Sequence, residues 1–134
     1  MSHLVVFDTN VLVSYFWTSN ETSAAKIAVE RCRDGNAVPV FSDAIMIEYT
    51  QVLNRPKFDF PQYEVASFLS LIRNNGYYVL PAVSNISFLK DPSDKCFYDA
   101  AVAAGAWLVT GNKRHYPTEG FIVSPREWLE RTGH

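Results

Sequence analysis

Three carboxylates stand where their neighbours give them a reason other than solubility. Asp8 follows the apolar run His3-Leu4-Val5-Val6-Phe7 and precedes Thr9-Asn10, so it closes a strand and opens a helix. Glu48 falls between Ile45 and Val52 on the stripe that also carries Tyr49 and Leu53, which is the core-facing side of its helix. Asp94 shares a helical face with Phe97, Tyr98 and Ala101. A buried carboxylate without a partner is costly, or its pKa is forced upward. Three of them in one cleft repel each other and call for a cation. All-oxygen ligation favours a hard ion, Mg2+ or Mn2+, able to bridge to a substrate phosphate.

Each acid also has a plainer role available. Asp8 and Asp94 both stand at helix N-cap positions, with Thr9 and Asn10 as further caps, and Glu48 could lie at the edge of its stripe or bond a structural arginine. Asp99 is about 140° around the helix from Asp94 and follows Lys95 by one turn, the spacing of a surface ion pair. Asp91, before Pro92, reads as a solvated turn residue. In Thr110-Gly111-Asn112-Lys113-Arg114-His115, Asn112 offers a carbonyl oxygen as ligand or orienting group, and the basic residues could meet phosphates. His3, His115 and His134 have no metal-ligand spacing.

These residues can meet only if the fold brings them together. Strand-like runs at 3–7, 38–41, 77–80, 106–110 and 121–123 alternate with helical patterns to about residue 17 and over 21–34, 42–54, 62–74 and 94–104. Asn20 is expected to cap the second helix, Gly35, Gly76 and Gly105 to end helices, and Pro39 to mark an edge or strand start. Residues 55–61 form a two-proline connector and 81–93 a loop. Ser124-Pro125-Arg126-Glu127 is a capping box opening a last helix. The alternation predicts a single-domain α/β/α sandwich over 1–134 with a mostly parallel, roughly five-stranded sheet. In such sheets sites form at the carboxyl ends of strands, which directs attention to Asp8, Ser42 and Thr110 to Asn112.

Composition sets limits rather than a function. The 134 residues, 48% hydrophobic and 19% charged, suit one folded domain. A net charge of -2 argues against gripping nucleic acid by bulk positive field, though an acid cluster can mask local basic patches. No apolar run spans a bilayer, the start lacks a basic leader, and Cys32 and Cys96 make neither a disulfide framework nor a zinc pattern, so a cytoplasmic setting is expected.

Taken together, the motifs resemble the PIN-domain ribonucleases, particularly their toxin-like bacterial and archaeal members. Val5-Val6-Phe7-Asp8-Thr9-Asn10-Val11-Leu12 is similar to the family's opening motif. Ile47-Glu48-Tyr49, with Val52-Leu53-Asn54-Arg55-Pro56-Lys57-Phe58 after it, resembles the segment that carries its glutamate. Asp94 to Ala101, running into Ala106 to Asn112, looks like its third-acid helix and following strand. Many members have a fourth aspartate where this chain has Asn112.

The resemblance implies hydrolysis of RNA phosphodiesters, with Asp8, Glu48 and Asp94 positioning Mg2+ or Mn2+ and Asp99 or Asn112 completing the set. It implies support from Thr9, Asn10 and Thr110, an RNA track over Arg55, Lys57, Lys113 and Arg114, and a small antitoxin as partner. A homodimer is expected on the same grounds and from the aromatic cluster Tyr15-Phe16-Trp17. Two other readings remain open. One is a non-catalytic RNA- or protein-binding module on a degenerate nuclease fold, which Asn112 keeps in play. The other is a haloacid-dehalogenase-type phosphatase, which wants a second aspartate where position 10 is Asn10.

Overall fold

The computed structural model describes residues 3–81 and 92–133, so Asp91 and most of the expected 81–93 loop lie outside the described residues. The strands are β1 (His3–Phe7), β2 (Ala37–Phe41), β3 (Tyr77–Tyr78), β4 (Trp107–Val109) and β5 (Ile122–Val123). The helices are α1 (Thr9–Trp17), α2 (Ala24–Arg33), α3 (Asp43–Leu53), α4 (Gln62–Asn75), α5 (Lys95–Ala104) and α6 (Pro125–Arg131). One sheet runs in the order β3-β2-β1-β4-β5 with every neighbouring pair parallel, so the expected α/β architecture is present.

β1 is the central strand, and its Val5, Val6 and Phe7 are at most 1% exposed because helices cover both faces. α5 packs across β1, β2 and β4, while α6 lies against β4, β5 and α2. Phe7 meets Trp128 of α6 edge-on with ring centroids 6.0 Å apart. Among the described residues no helix is long and apolar enough to cross a membrane, and Cys32 and Cys96 are free thiols.

Four local expectations change. The second helix starts at Ala24, because Ser23 takes the cap by accepting from Lys26 N–H. Asn20 instead accepts from the backbone and hydroxyl of Thr22, building the turn before it. Pro39 sits in the middle of β2, which is an interior strand. The ladder to β3 involves only Val40 and Phe41, so Pro39 withholds no donor from it. Gly76 ends α4 in an extended conformation, φ -82°, rather than a left-handed one. It is required by space, since a Cβ there would stand 2.4 Å from the Ile72 carbonyl oxygen and 2.6 Å from that of Pro39. Finally, β3 is two residues long where four were expected.

Candidate active site

The register of the sheet sets the first contact. β1 and β4 pair Phe7 with Val109, so the next residues, Asp8 and Thr110, leave the sheet side by side. Asp8 occupies the N-cap position of α1, yet its side chain makes no cap hydrogen bond. Its Oδ2 accepts instead from the Thr110 hydroxyl at 2.9 Å, the Tyr116 phenol at 2.9 Å and Asn10 Nδ2 at 3.3 Å. Asp8 is only 4% exposed. Burial raises its pKa, opposed by the Thr110 and Tyr116 hydrogen bonds and by the amides of Asn10 and Thr9.

Thr110 and Asn10 hold the adjoining loop as well as the acid. Thr110 Oγ1 accepts from the Asn112 amide at 3.0 Å, and Asn10 Oδ1 accepts from the Gly111 amide at 2.9 Å. The turn after β4 is thereby tied to the start of α1, as an orienting role for both residues requires. Thr9 is buried, and among the described residues its hydroxyl finds no hydrogen-bond partner.

Glu48 arrives through its neighbour. The buried Tyr49 donates its hydroxyl to the carbonyl oxygen of Phe7, the residue before Asp8, and thereby pins α3 to the end of β1. Glu48 is half-buried beside it. Asp94 ends a 3-10 turn, Pro92–Asp94, and like Asp8 stands at a helix start without capping it. Its Oδ2 lies 3.2 Å from His115 Nδ1. Asp99 is buried and bonds Lys95 Nζ at 3.3 Å through Oδ2, while among the described residues its buried Oδ1 has no hydrogen-bond partner.

The thiol of Cys96 is within electrostatic reach of all four acids. Its pKa is pushed up to about 12, first by burial and then by the negative charges of Glu48, Asp8, Asp94 and Asp99 in turn. Tyr116 titrates well above its ordinary range for the same reasons, burial first and then the charges of Asp8 and Asp94. Among the described residues, however, no group of three or more His, Cys, Asp and Glu side chains is placed to hold a metal ion. Asp8, Asp94 and Asp99 are each turned toward a local partner, Thr110 and Tyr116, His115, and Lys95 respectively.

The remaining expected residues sit further out. Asn112 is exposed, and its backbone rather than its side chain links it to Thr110. Lys113 is engaged by Glu127 at 3.0 Å, whereas Arg55, Lys57 and Arg114 are exposed. Tyr15 and Phe16 pack against Phe68, and Trp17 is the exposed member of the three. Tyr116 escaped the sequence reading entirely. An aromatic beyond a polar turn reads as core, and only the 3-10 turn Lys113–His115 swings it back onto Asp8. A hollow of about 680 Å³ between Tyr98, Trp107 and Phe121 includes none of the four acids.

A PIN-domain family model matches residues 4–114, from the strand before Asp8 to the turn that carries Asn112. No curated relative matches the chain. The family match spans well over half of the sequence, and on that ground the chain belongs to the PIN-domain family, whose members are generally nucleases using divalent metals.

Proposed function

We propose that this protein is a metal-dependent ribonuclease that hydrolyses RNA phosphodiester bonds and serves as the toxin of a toxin–antitoxin pair. The observation that carries the reading is Asp8: a buried carboxylate that forgoes its helix cap and is held by Thr110, Tyr116 and Asn10 amid three other acids. Buried charge of one sign is costly to gather, and functional sites are where that cost is repaid.

The donor set fits a hard divalent ion. It is all oxygen, it is anionic, and among the described residues the buried Oδ1 of Asp99 lacks a partner, which a cation would supply. Asp8, Glu48, Asp94 and Asp99 would hold Mg2+ or Mn2+. When bound, such an ion lowers the pKa of a coordinated water and offsets charge growing on the phosphate. Thr110, Tyr116 and Asn10 hold the Asp8 carboxylate in place through Oδ2. Glu48 or Asp94 accepts a proton from the attacking water. Arg55, Lys57 and Arg114, exposed, would meet the RNA backbone. The toxin role, an antitoxin partner and a homodimer rest on the likeness to toxin-like members.

Labelled RNA incubated with purified protein and Mn2+ is expected to be cut, with cleavage abolished by EDTA and by Asp8→Asn. Cleavage that survives Asp8→Asn would refute the assignment. Retained RNA affinity with no cleavage would instead identify a binding module, the reading favoured by Asn112 and by carboxylates already engaged locally. Growth arrest on expression, relieved by Asp8→Asn, tests the toxin role.

A further inference from the structure

At the far end of α1 an exposed indole is held upright by rings from a separate segment. Trp17 is 65% exposed. Phe58 and Phe60 approach it edge-on, with centroids 5.5 Å and 6.2 Å away. Those two phenyl rings lie parallel, 5.1 Å apart with an interplanar angle of 6°. The residue between them, Asp59, takes φ 50°, a conformation unusual outside glycine, and so turns both rings to the same side. Phe60 is anchored in turn by Phe16 at 5.6 Å.

Two cations border the rings. Lys57 Nζ stands 5.2 Å from the centroid of Phe58, and Arg55 is exposed two residues earlier. Lys26, Arg33, Lys95 and Lys113 all sit on carboxylates, but neither Arg55 nor Lys57 forms an ion pair among the described residues. An apolar partner closing over the indole would have to desolvate both cations. A single-stranded nucleic acid would supply their counter-charge through its phosphodiester backbone, and its bases would stack on the exposed indole. Asp59 is the one acid in this segment, and its exposed side chain remains solvated.

The placement connects this patch to the carboxylates. α1 begins directly after Asp8 and runs nine residues to Trp17, a rise of about 13 Å. α3 carries Glu48 and ends at Leu53, just before Arg55. We infer that Trp17, buttressed by Phe58 and Phe60 and flanked by Arg55 and Lys57, is a stacking platform for a base of single-stranded RNA whose backbone leads to the acidic site. The inference rests on reading the chain as an RNA-acting protein.

Binding is read in EDTA, where cleavage does not contribute, with a fluorescein-labelled ten-nucleotide oligouridylate, its duplex with oligoadenylate and an abasic oligomer of equal length. Trp17→Ala is expected to weaken oligouridylate binding about tenfold or more, the scale of one stacked base, while Trp17→Phe retains most of the affinity. Arg55→Ala with Lys57→Ala should reduce the slope of log K against log salt by about 1.4, the value for two phosphate contacts on a single strand. The duplex and the abasic oligomer should bind more weakly and respond little to Trp17→Ala. Trp17 is exposed, so unchanged melting of Trp17→Ala will accompany a true loss of binding. Wild-type affinity in Trp17→Ala, equal affinity for the abasic oligomer, or no oligouridylate binding at all would overturn the inference. So would a shift from dimer to monomer in Trp17→Ala with RNA affinity intact, which would make the patch a self-interface. Binding through Trp17 without any Mn2+-dependent cleavage would uphold the platform and remove only the catalytic reading.

Discussion

The phenol of Tyr116 donates to Oδ2 of Asp8 at 2.9 Å across 108 residues of chain, onto the same oxygen that the Thr110 hydroxyl reaches. Tyr116 lies just past the end of the family match at residue 114. Its hydroxyl stays protonated throughout the working pH range, because burial and the charges of Asp8 and Asp94 oppose its ionisation. It is therefore a fixed donor, and with Thr110 it occupies one side of the Asp8 carboxylate.

Removing that donor tests the arrangement. Tyr116→Phe keeps the ring and its packing but frees one lone pair of Asp8 Oδ2. On the proposed reading of Asp8 as a metal ligand, losing an outer hydrogen bond typically costs ten- to a hundredfold in metal affinity or activity, and a fall of roughly that order is expected here. Titrating Mn2+ against melting temperature, alongside RNA cleavage, reads both quantities. Unchanged metal response and unchanged cleavage would show that Asp8 needs no help from Tyr116.

Thr110→Val makes a sharper structural test, since the side chain is fully buried and the two residues are nearly isosteric. Valine removes the donor to Asp8 and the acceptor for the Asn112 amide together. A buried polar group left unpaired costs about 1–3 kcal/mol, and a loss of that order is expected in urea unfolding without metal. Thr110→Ser should recover most of it. If valine and serine prove equally stable, the hydroxyl has no part in holding the turn.

Most of the scaffold was legible in the chain because its signals are local. Strand runs, the Ser42 and Ser124 caps and the left-handed Gly105 at φ 63° each depend on a few adjacent residues. The displaced cap at Ser23 shows the limit, since Asn20 and Ser23 are both good caps and only the Thr22 contacts decide between them. Of the candidate site, Asp8, Glu48 and Asp94 were visible as acids set against apolar faces. What they touch was not. Tyr116, His115 and Lys95 reach their carboxylates through register and turn geometry that no spacing encodes.

Cys96 offers a chemical probe of the clustered charge. With its pKa pushed to about 12 from the ordinary 9.0 by burial and then by Glu48, Asp8, Asp94 and Asp99, its thiolate fraction at pH 8 is on the order of a thousandfold below that of a free thiol. Alkylation by iodoacetamide should be correspondingly slow. Glu48→Gln removes the largest of the four charges acting on it and should speed the reaction at pH 9, as should addition of Mn2+. A rate indifferent to both would mean that Glu48 does not face this neighbourhood.

The turn carrying Asn112 has its own pH dependence through Glu127. This carboxyl accepts from the Ser124 amide at 2.8 Å within the capping box and from Lys113 Nζ at 3.0 Å. The Ser124 hydrogen bond first, and then that of Lys113, hold its pKa down to about 2 against an ordinary 4.5. A depressed acid favours the fold while it is ionised, so its contribution is present above pH 4.5 and is lost as pH falls from 4.5 toward 2. Glu127→Gln should therefore melt below the wild type at pH 6, with the two curves converging across that window. Because the side chain is partly exposed, the gap will be modest, and 1 M salt should remove the Lys113 share while leaving that of the Ser124 amide. A gap that stays constant from pH 6 to pH 2 would mean that ionised Glu127 does not brace the start of α6 against the turn after β4.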